Sequence, residues 1–162
     1  MKGRTMARVQ LALNVADLES AIDFYTRLLG TGPAKVKPGY ANFAVVDPPL
    51  KLVLIEGGGA PGSINHLGVE VATTDEVTGA ITRLDAQGLA TEIEAQTTCC
   101  YAVQDKVWVT GPDDERWEVY CVTADADTFS ATPSVDGSPC CGERAVALVS
   151  VTTTVDQAAP CC

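Results

Sequence analysis

One histidine, His66, stands in 162 residues. That scarcity excludes any His-rich site and most two-histidine metal triads. No apolar run approaches the roughly 18–20 residues that a membrane-spanning helix needs. The basic start, Met1-Lys2-Gly3-Arg4-Thr5-Met6, is not followed by the apolar core of a secretory signal, because Gln10 and Asn14 interrupt the nearest candidate. Either Met1 or Met6 can serve as the start. Basic residues are few: 11 Lys and Arg face 21 Asp and Glu, for a net charge of −10. Such a surface repels phosphate backbones, so nucleic acid is not an expected partner. There is no P-loop, dinucleotide fingerprint or nucleophile elbow. These absences point to a cytoplasmic protein, whose cysteines stay reduced.

Against this background the cysteines stand out. Six of the seven form adjacent pairs, Cys99-Cys100, Cys140-Cys141 and Cys161-Cys162, and only Cys121 is alone. A disulfide between neighbours closes a strained ring far from the usual Cα spacing. Two adjacent thiolates can instead clamp one soft ion, such as trivalent arsenic, cadmium, zinc or copper(I). The plain alternative is a pair of small buried side chains, and three such pairs in one chain argue against it.

The chain carries an internal repeat. Gln10-Leu11-Ala12-Leu13-Asn14-Val15 matches His66-Leu67-Gly68-Val69-Glu70-Val71 in its alternation, the pattern of a half-buried strand. Gln10 and His66 occupy the same position of each unit, on the less apolar face. An amphipathic helix is expected after each strand. The first is capped by Asp17, carries Leu18, Ala21, Ile22, Tyr25, Leu28 and Leu29, and ends at Gly30. The second opens on a Thr73–Glu76 capping box, carries Val77, Ala80, Ile81 and Leu84, and ends at Gly88. Strand signals follow at Tyr40 to Val46 and Leu50 to Glu56, and then at Thr91 to Ala95, Lys106 to Thr110 and Arg116 to Val122. Each unit thus reads β-α-β-β with room for another short strand. Duplicated units of this kind pair their sheets around a shared cleft, a natural place for a site. Trp108 and Trp117 read as core residues, and Asp113-Asp114-Glu115 as a solvated turn. After Val122 the pattern dissolves into Ala, Thr, Ser, Asp and Pro, so residues 124–162 are expected to form a mobile tail. The tail thiols Cys140, Cys141, Cys161 and Cys162 are candidate accessory ligands.

His66 alone would read as structural or exposed. Its repeat mate Gln10 is a second candidate ligand, however, and Glu118 places a carboxylate among the apolar residues of the last strand. A solvent-facing Glu118 is the competing reading. Gln10, His66 and Glu118 together offer O, N and O donors from three strands, which suits a borderline divalent metal such as Fe(II), Mn(II), Ni(II) or Zn(II). The repeat predicts a fourth position. Aligning Pro48 with Pro112 puts Leu54 opposite Glu118, and a small gap puts Val53 or Leu52 there. All three are apolar, which implies three protein ligands and open coordination positions. In a regular strand Cys99 and Cys100 would point to opposite faces, so either they lie in a loop or bulge or they are not a clamp. The polar run Gln96-Thr97-Thr98 favours a loop that captures a substrate, and the nearby charge of Lys106 could depress a thiol pKa.

At these residues the chain resembles the vicinal oxygen chelate superfamily of glyoxalases, bleomycin-resistance proteins and extradiol dioxygenases. Arg8 to Val15, Lys37 to Ala44, Asn65 to Glu70, Thr97 to Tyr101 and Asp105 to Pro112 look like the carbon–arsenic lyase family within it, non-haem iron dioxygenases related to proteins labelled cadmium-induced. The resemblance covers roughly residues 7–123. It implies an α+β fold of tandem βαβββ modules (roughly 7–57 and 63–123, in a domain of residues 1–123) forming an open mixed-sheet barrel around a metal site. It further implies Fe(II) held by Gln10, His66 and Glu118, with Cys99 and Cys100 binding the arsenic of a trivalent methyl or aryl arsenical. Dioxygen would insert, the carbon–arsenic bond would break, and arsenite would be released, a detoxification reaction. The alternatives are a non-enzymatic cadmium- or arsenic-binding protein and another three-ligand metalloenzyme of the superfamily. A homodimer is compatible with either reading.

Overall fold

The computed structural model describes residues 7–129 of the chain. Its elements run β1 (Arg8–Val15), α1 (Leu18–Leu29), β2 (Lys35–Lys37), β3 (Tyr40–Val45), β4 (Leu50–Glu56), β5 (Ile64–Glu70), α2 (Thr74–Ala86), β6 (Thr91–Cys99), β7 (Ala102–Thr110) and β8 (Arg116–Asp125). Both helices start where their capping residues place them. The Asp17 carboxylate accepts the Ser20 N–H at 2.7 Å, and Gly30 closes α1 in the left-handed region at φ 66°. Thr73 and Glu76 form the expected capping box at the head of α2.

The eight strands make one sheet in the order β2-β3-β4-β1-β5-β8-β7-β6. The central pair β1–β5 is antiparallel, while β1 runs parallel to β4 and β5 parallel to β8. Each half is therefore a βαβββ module, and the two meet along β1–β5 in a curled, open half-barrel. The short edge strand β2 supplies the extra strand of the first module, pairing Lys35–Lys37 with Tyr40–Asn42.

The polar faces of the inner strands are the buried ones. On β1, Gln10, Ala12 and Asn14 are buried, whereas Leu11 and Leu13 turn outward beneath α1 and pack with Leu18, Ala21, Ile22, Tyr25 and Leu29. On β5 the buried residues are His66, Gly68 and Glu70. On β8 they include Glu118 and Tyr120. The apolar faces thus go under the helices, and the concave inside of the curl is lined by polar side chains. Glu118 lies there, not on a solvent face. Leu28, expected in the α1 stripe, is 64% exposed and takes no part in it. The second helix packs Val77, Ala80 and Leu84 against Val107 and Cys121, so the lone cysteine is a core residue. Trp108 is buried as expected, but Trp117 is 38% exposed because it faces outward on β8.

β6 and β7 are longer than their apolar patterns suggest. The run Gln96-Thr97-Thr98, expected as loop, lies within β6. A register shift between Glu94 and Thr97 is centred on Gln96, at φ 50°. Asp105 holds that bulge: its carboxylate accepts Gln96 N–H at 2.8 Å, Gln96 Nε2 at 2.9 Å and Thr74 Oγ1 at 2.6 Å. These donors hold the Asp105 carboxyl below its usual range, the Thr74 hydroxyl first among them. β8 continues to Asp125, two residues past the expected module end. Phe129 then stacks edge-on against Tyr40 and Tyr101, with ring centroids 6.2 and 5.7 Å away. Among the described residues no helix is long and apolar enough to cross a membrane.

Candidate metal centre

Gln10 on β1, Gly68 on β5 and Glu118 on β8 form one row across the sheet. With no side chain between them, Gln10 and Glu118 lean together over Gly68. A Cβ there would meet Glu118 Cγ at 3.0 Å and Gln10 Cβ at 3.4 Å. His66, two residues back on β5, points into the same space. Gln10 Nε2 lies 2.7 Å from Glu118 Oε1 and 3.0 Å from His66 Nε2, and His66 Nε2 lies 3.4 Å from Glu118 Oε1. Amide, imidazole and carboxylate thus converge in a buried cluster. Among the described residues no group of three His, Cys, Asp or Glu side chains could hold a metal ion, so any three-donor centre here needs the Gln10 amide.

A second layer orients these groups. Asn65 Nδ2 donates to Asn14 Oδ1 at 2.9 Å and to Gly58 O at 3.3 Å. Its carbonyl oxygen is thereby turned to His66 Nδ1, 2.7 Å away. A carbonyl only accepts, so Nδ1 carries a proton and Nε2 is the ring nitrogen turned to the cluster. Trp108 packs edge-on to the ring, centroids 5.4 Å apart. Lys106, 1% exposed, donates to Glu118 Oε2 at 2.7 Å. Burial alone would raise the Glu118 pKa, but the Lys106 ammonium and the contacts with His66 hold it well below the usual carboxylate range. Lys106 therefore serves Glu118, where the sequence had suggested a role beside the cysteines.

Behind Gln10 lies a charged network. Glu70 is held by Arg8 Nε at 3.1 Å, Arg8 Nη2 at 3.2 Å and Lys51 Nζ at 3.4 Å. Burial opposes ionisation of Glu70, and Lys51 and Arg8 outweigh it, so its pKa lies below the ordinary value. The Tyr120 hydroxyl oxygen lies within hydrogen-bond reach of two acceptors, Glu70 Oε2 at 3.0 Å and Gln10 Oε1. Burial, then the nearby carboxylates, push the Tyr120 pKa well up.

Cys99 ends β6 and Cys100 begins the turn into β7. Cys99 pairs with Ala102, leaving a two-residue connection in which Cys100 (φ 55°) and Tyr101 (φ 59°) are both left-handed. This is the pattern of a type I′ hairpin turn, built here without the usual glycine or asparagine. The change from extended to left-handed backbone brings the two sulfurs to one side, 3.3 Å apart. Cys99 is disulfide-bonded, and neither Cys100 nor Cys121 takes part in a disulfide. The turn is tied down by Cys100 N–H donating to Phe129 O at 2.7 Å and Ala126 N–H to Tyr101 O at 3.1 Å.

Gln10, His66, Glu118 and Cys100 line one cavity of about 200 Å³, together with Val53 and Gln104. The register identifies the fourth position of the repeat. Gln10 lies beside Lys51 as His66 lies on the line of Arg116, so Val53 is the counterpart of Glu118. Gln104 donates to Cys99 O at 3.2 Å, and its buried Oε1 has no hydrogen-bond partner among the described residues. Cys140, Cys141, Cys161 and Cys162 lie outside the described residues. The roles of Asn65, Lys51, Glu70, Tyr120 and Gln104 were missed in the sequence. The available signal was polar residues on one face of strands whose other face is apolar, but alternation cannot say which face is inside.

Three comparisons bear on this geometry. Residues 7–119 match the model of the Glyoxalase/Bleomycin resistance protein/Dioxygenase superfamily. The chain is 61% identical over 140 residues to a trivalent organoarsenical cleaving enzyme of Thermomonospora curvata, covering 86% of this chain and 91% of that protein. It is also 61% identical over 148 residues to the cadmium-induced protein CadI of Mycobacterium bovis, covering 87% and 97%. An extradiol ring-cleaving dioxygenase from B. fuscum shares the fold at a TM-score of 0.54 and 20% identity, over 74% of this chain and 34% of that one.

Proposed function

We propose that this chain, which belongs to the Glyoxalase/Bleomycin resistance protein/Dioxygenase superfamily, cleaves the carbon–arsenic bond of trivalent methyl or aromatic arsenicals to arsenite, using Fe(II) and dioxygen. One observation carries the reading: the Gln10–His66–Glu118 cluster opens onto the same cavity as Cys100, whose sulfur lies beside that of Cys99. The relatives named as organoarsenical cleaving enzymes support it.

The donor set fits a divalent ion. Three donors about 2.1 Å from one ion, at right angles to each other, lie about 3.0 Å apart. With the Gln10 carbonyl oxygen in the place of Nε2, the separations of 2.7, 3.0 and 3.4 Å bracket that value. Mixed N and O donors suit Fe(II), and Val53 at the fourth position leaves room for further ligands. Gln10, His66 and Glu118 would hold the ion. Bound there, Fe(II) would supply the redox chemistry by which dioxygen oxidises the carbon leaving arsenic, so that one dioxygen would convert a methylarsenical to arsenite and formaldehyde.

The other roles fall to the chain itself. The reduced Cys99 and Cys100 thiols displace two hydroxyls from trivalent arsenic as two waters, forming two As–S bonds and fixing the arsenical at the cavity wall. Reduction of Cys99 is therefore a condition of capture, a requirement that the reducing cytoplasm would meet. Lys106 occupies Glu118 Oε2 and leaves Oε1 to the cluster. Asn65 keeps the His66 lone pair directed inward, and the buried walls exclude bulk water.

The cadmium-induced relative favours a second reading, in which the thiols bind a soft ion and nothing is cleaved. Metal removal separates the two. Chelator-treated, reduced protein given a trivalent methylarsenical in air is expected to release no arsenite, and added Fe(II) to restore release. Methylarsenical that stays bound and intact with Fe(II) present would support sequestration.

A further inference from the structure

The Tyr120 hydroxyl sits between two acceptors. It contacts the Gln10 carbonyl Oε1 and, at 3.0 Å, the Glu70 carboxylate. A phenol has one proton to give, and neither an amide carbonyl nor a carboxylate has any. With the Gln10 carbonyl facing Tyr120, one of these contacts lacks a hydrogen. Glu70 is the stronger claimant, because Arg8 and Lys51 hold it ionised and fixed.

A half-turn of the Gln10 amide about its last torsion removes the conflict, since the amide oxygen and nitrogen exchange places. Nε2 then donates to Tyr120, and Tyr120 donates to Glu70. Oε1 takes the place 3.0 Å from His66 Nε2 and 2.7 Å from Glu118 Oε1. Three electron-pair donors then face one another, an arrangement that repels itself unless a cation lies among them. The unreversed amide suits the cation-free cluster, because Nε2 donates to both neighbours. Gln10 thus has two orientations of opposite polarity, and the groups behind it weight one of them.

We propose that Tyr120 and Glu70 are positioning residues that select the carbonyl-inward orientation of Gln10 and so raise the affinity of the cluster for a divalent cation. The proposal rests on the reading of Gln10, His66 and Glu118 as the donor set. It extends to Gln10 what Asn65 does for His66: an outer group fixes which atom of a ligand faces inward.

Co(II) titration of the reduced full chain, followed by its visible absorption, tests this. Tyr120→Phe is expected to weaken Co(II) binding about 10–100-fold, the usual cost of removing an outer-shell partner. In a Gln10→Glu background, whose carboxylate presents oxygen in either orientation, the same change should leave affinity unaltered. An equal loss in both backgrounds would reduce Tyr120 to a packing residue and overturn the proposal, as would no loss in either. If instead His66→Ala and Gln10→Ala bind Co(II) as wild type does, the donor-set reading itself fails. The wild-type protein offers a check free of variants. On Zn(II) addition the Gln10 side-chain amide protons should gain NMR contacts to the Tyr120 ring and lose those to His66. Retained contacts to His66 in the loaded protein would contradict the relay.

Discussion

Replacing Cys99 and Cys100 together by serine is expected to bring arsenite release from a trivalent methylarsenical down to the background rate, with divalent-metal affinity unchanged. Arsenic(III) is soft and prefers sulfur to the hard hydroxyl oxygen that serine supplies. The pair also acts as a chelate. Once one sulfur has bound, the second is already on the same side of the turn, 3.3 Å away. Linkage of that kind multiplies affinity by about 10²–10⁴ over a single contact. Cys100→Ser alone should therefore lose most of the arsenical affinity, even with Cys99 intact. The backbone is not a confounder, because serine meets the same constraint as cysteine at φ 55°. Arsenical binding by the reduced variants, measured beside Co(II) affinity in the same preparations, checks both halves. A double variant that still turns over would remove the thiols from the reaction.

The converse is expected of His66→Ala: metal affinity lost by more than the about 10–100-fold that outer-shell changes cost, turnover at background, and arsenical capture retained. His66 is the cleaner target among the three donors. Removing the Glu118 carboxylate would break the buried ion pair with Lys106, itself 1% exposed, a change that costs about 3–5 kcal/mol and clouds any metal measurement. The two variants together separate the capturing pair from the metal cluster. If His66→Ala also abolished arsenical binding by the thiols, the two would not be independent parts.

The local rules were legible in the sequence. Asp17, Gly30 and the Thr73–Glu76 box mark helix ends by side-chain and backbone chemistry that needs no tertiary context. The repeat placed Gln10 and His66 on equivalent strands, and the alternation on β8 singled out Glu118. Two kinds of feature could not be read. One is which face of an alternating strand is inside: β1 and β5 bury their polar side because helices claim the apolar one. The other is any contact set by register. Lys106 finds Glu118 because the two strands run antiparallel, and Tyr120 finds Gln10 across β5. The hairpin turn escaped for a related reason. Cys100-Tyr101 lacks the glycine or asparagine that advertises left-handed backbone, so the pair looked like part of a polar loop when it sits at the tip of two long strands.

The most direct test of the central claim is oxygen consumption. Reduced full chain, loaded anaerobically with Fe(II) and mixed with a trivalent methylarsenical in oxygenated buffer, should take up dioxygen in fixed proportion to the arsenite released. Uptake should cease when the arsenical is exhausted. Arsenite formed without oxygen uptake, or none formed under these conditions, would contradict the account.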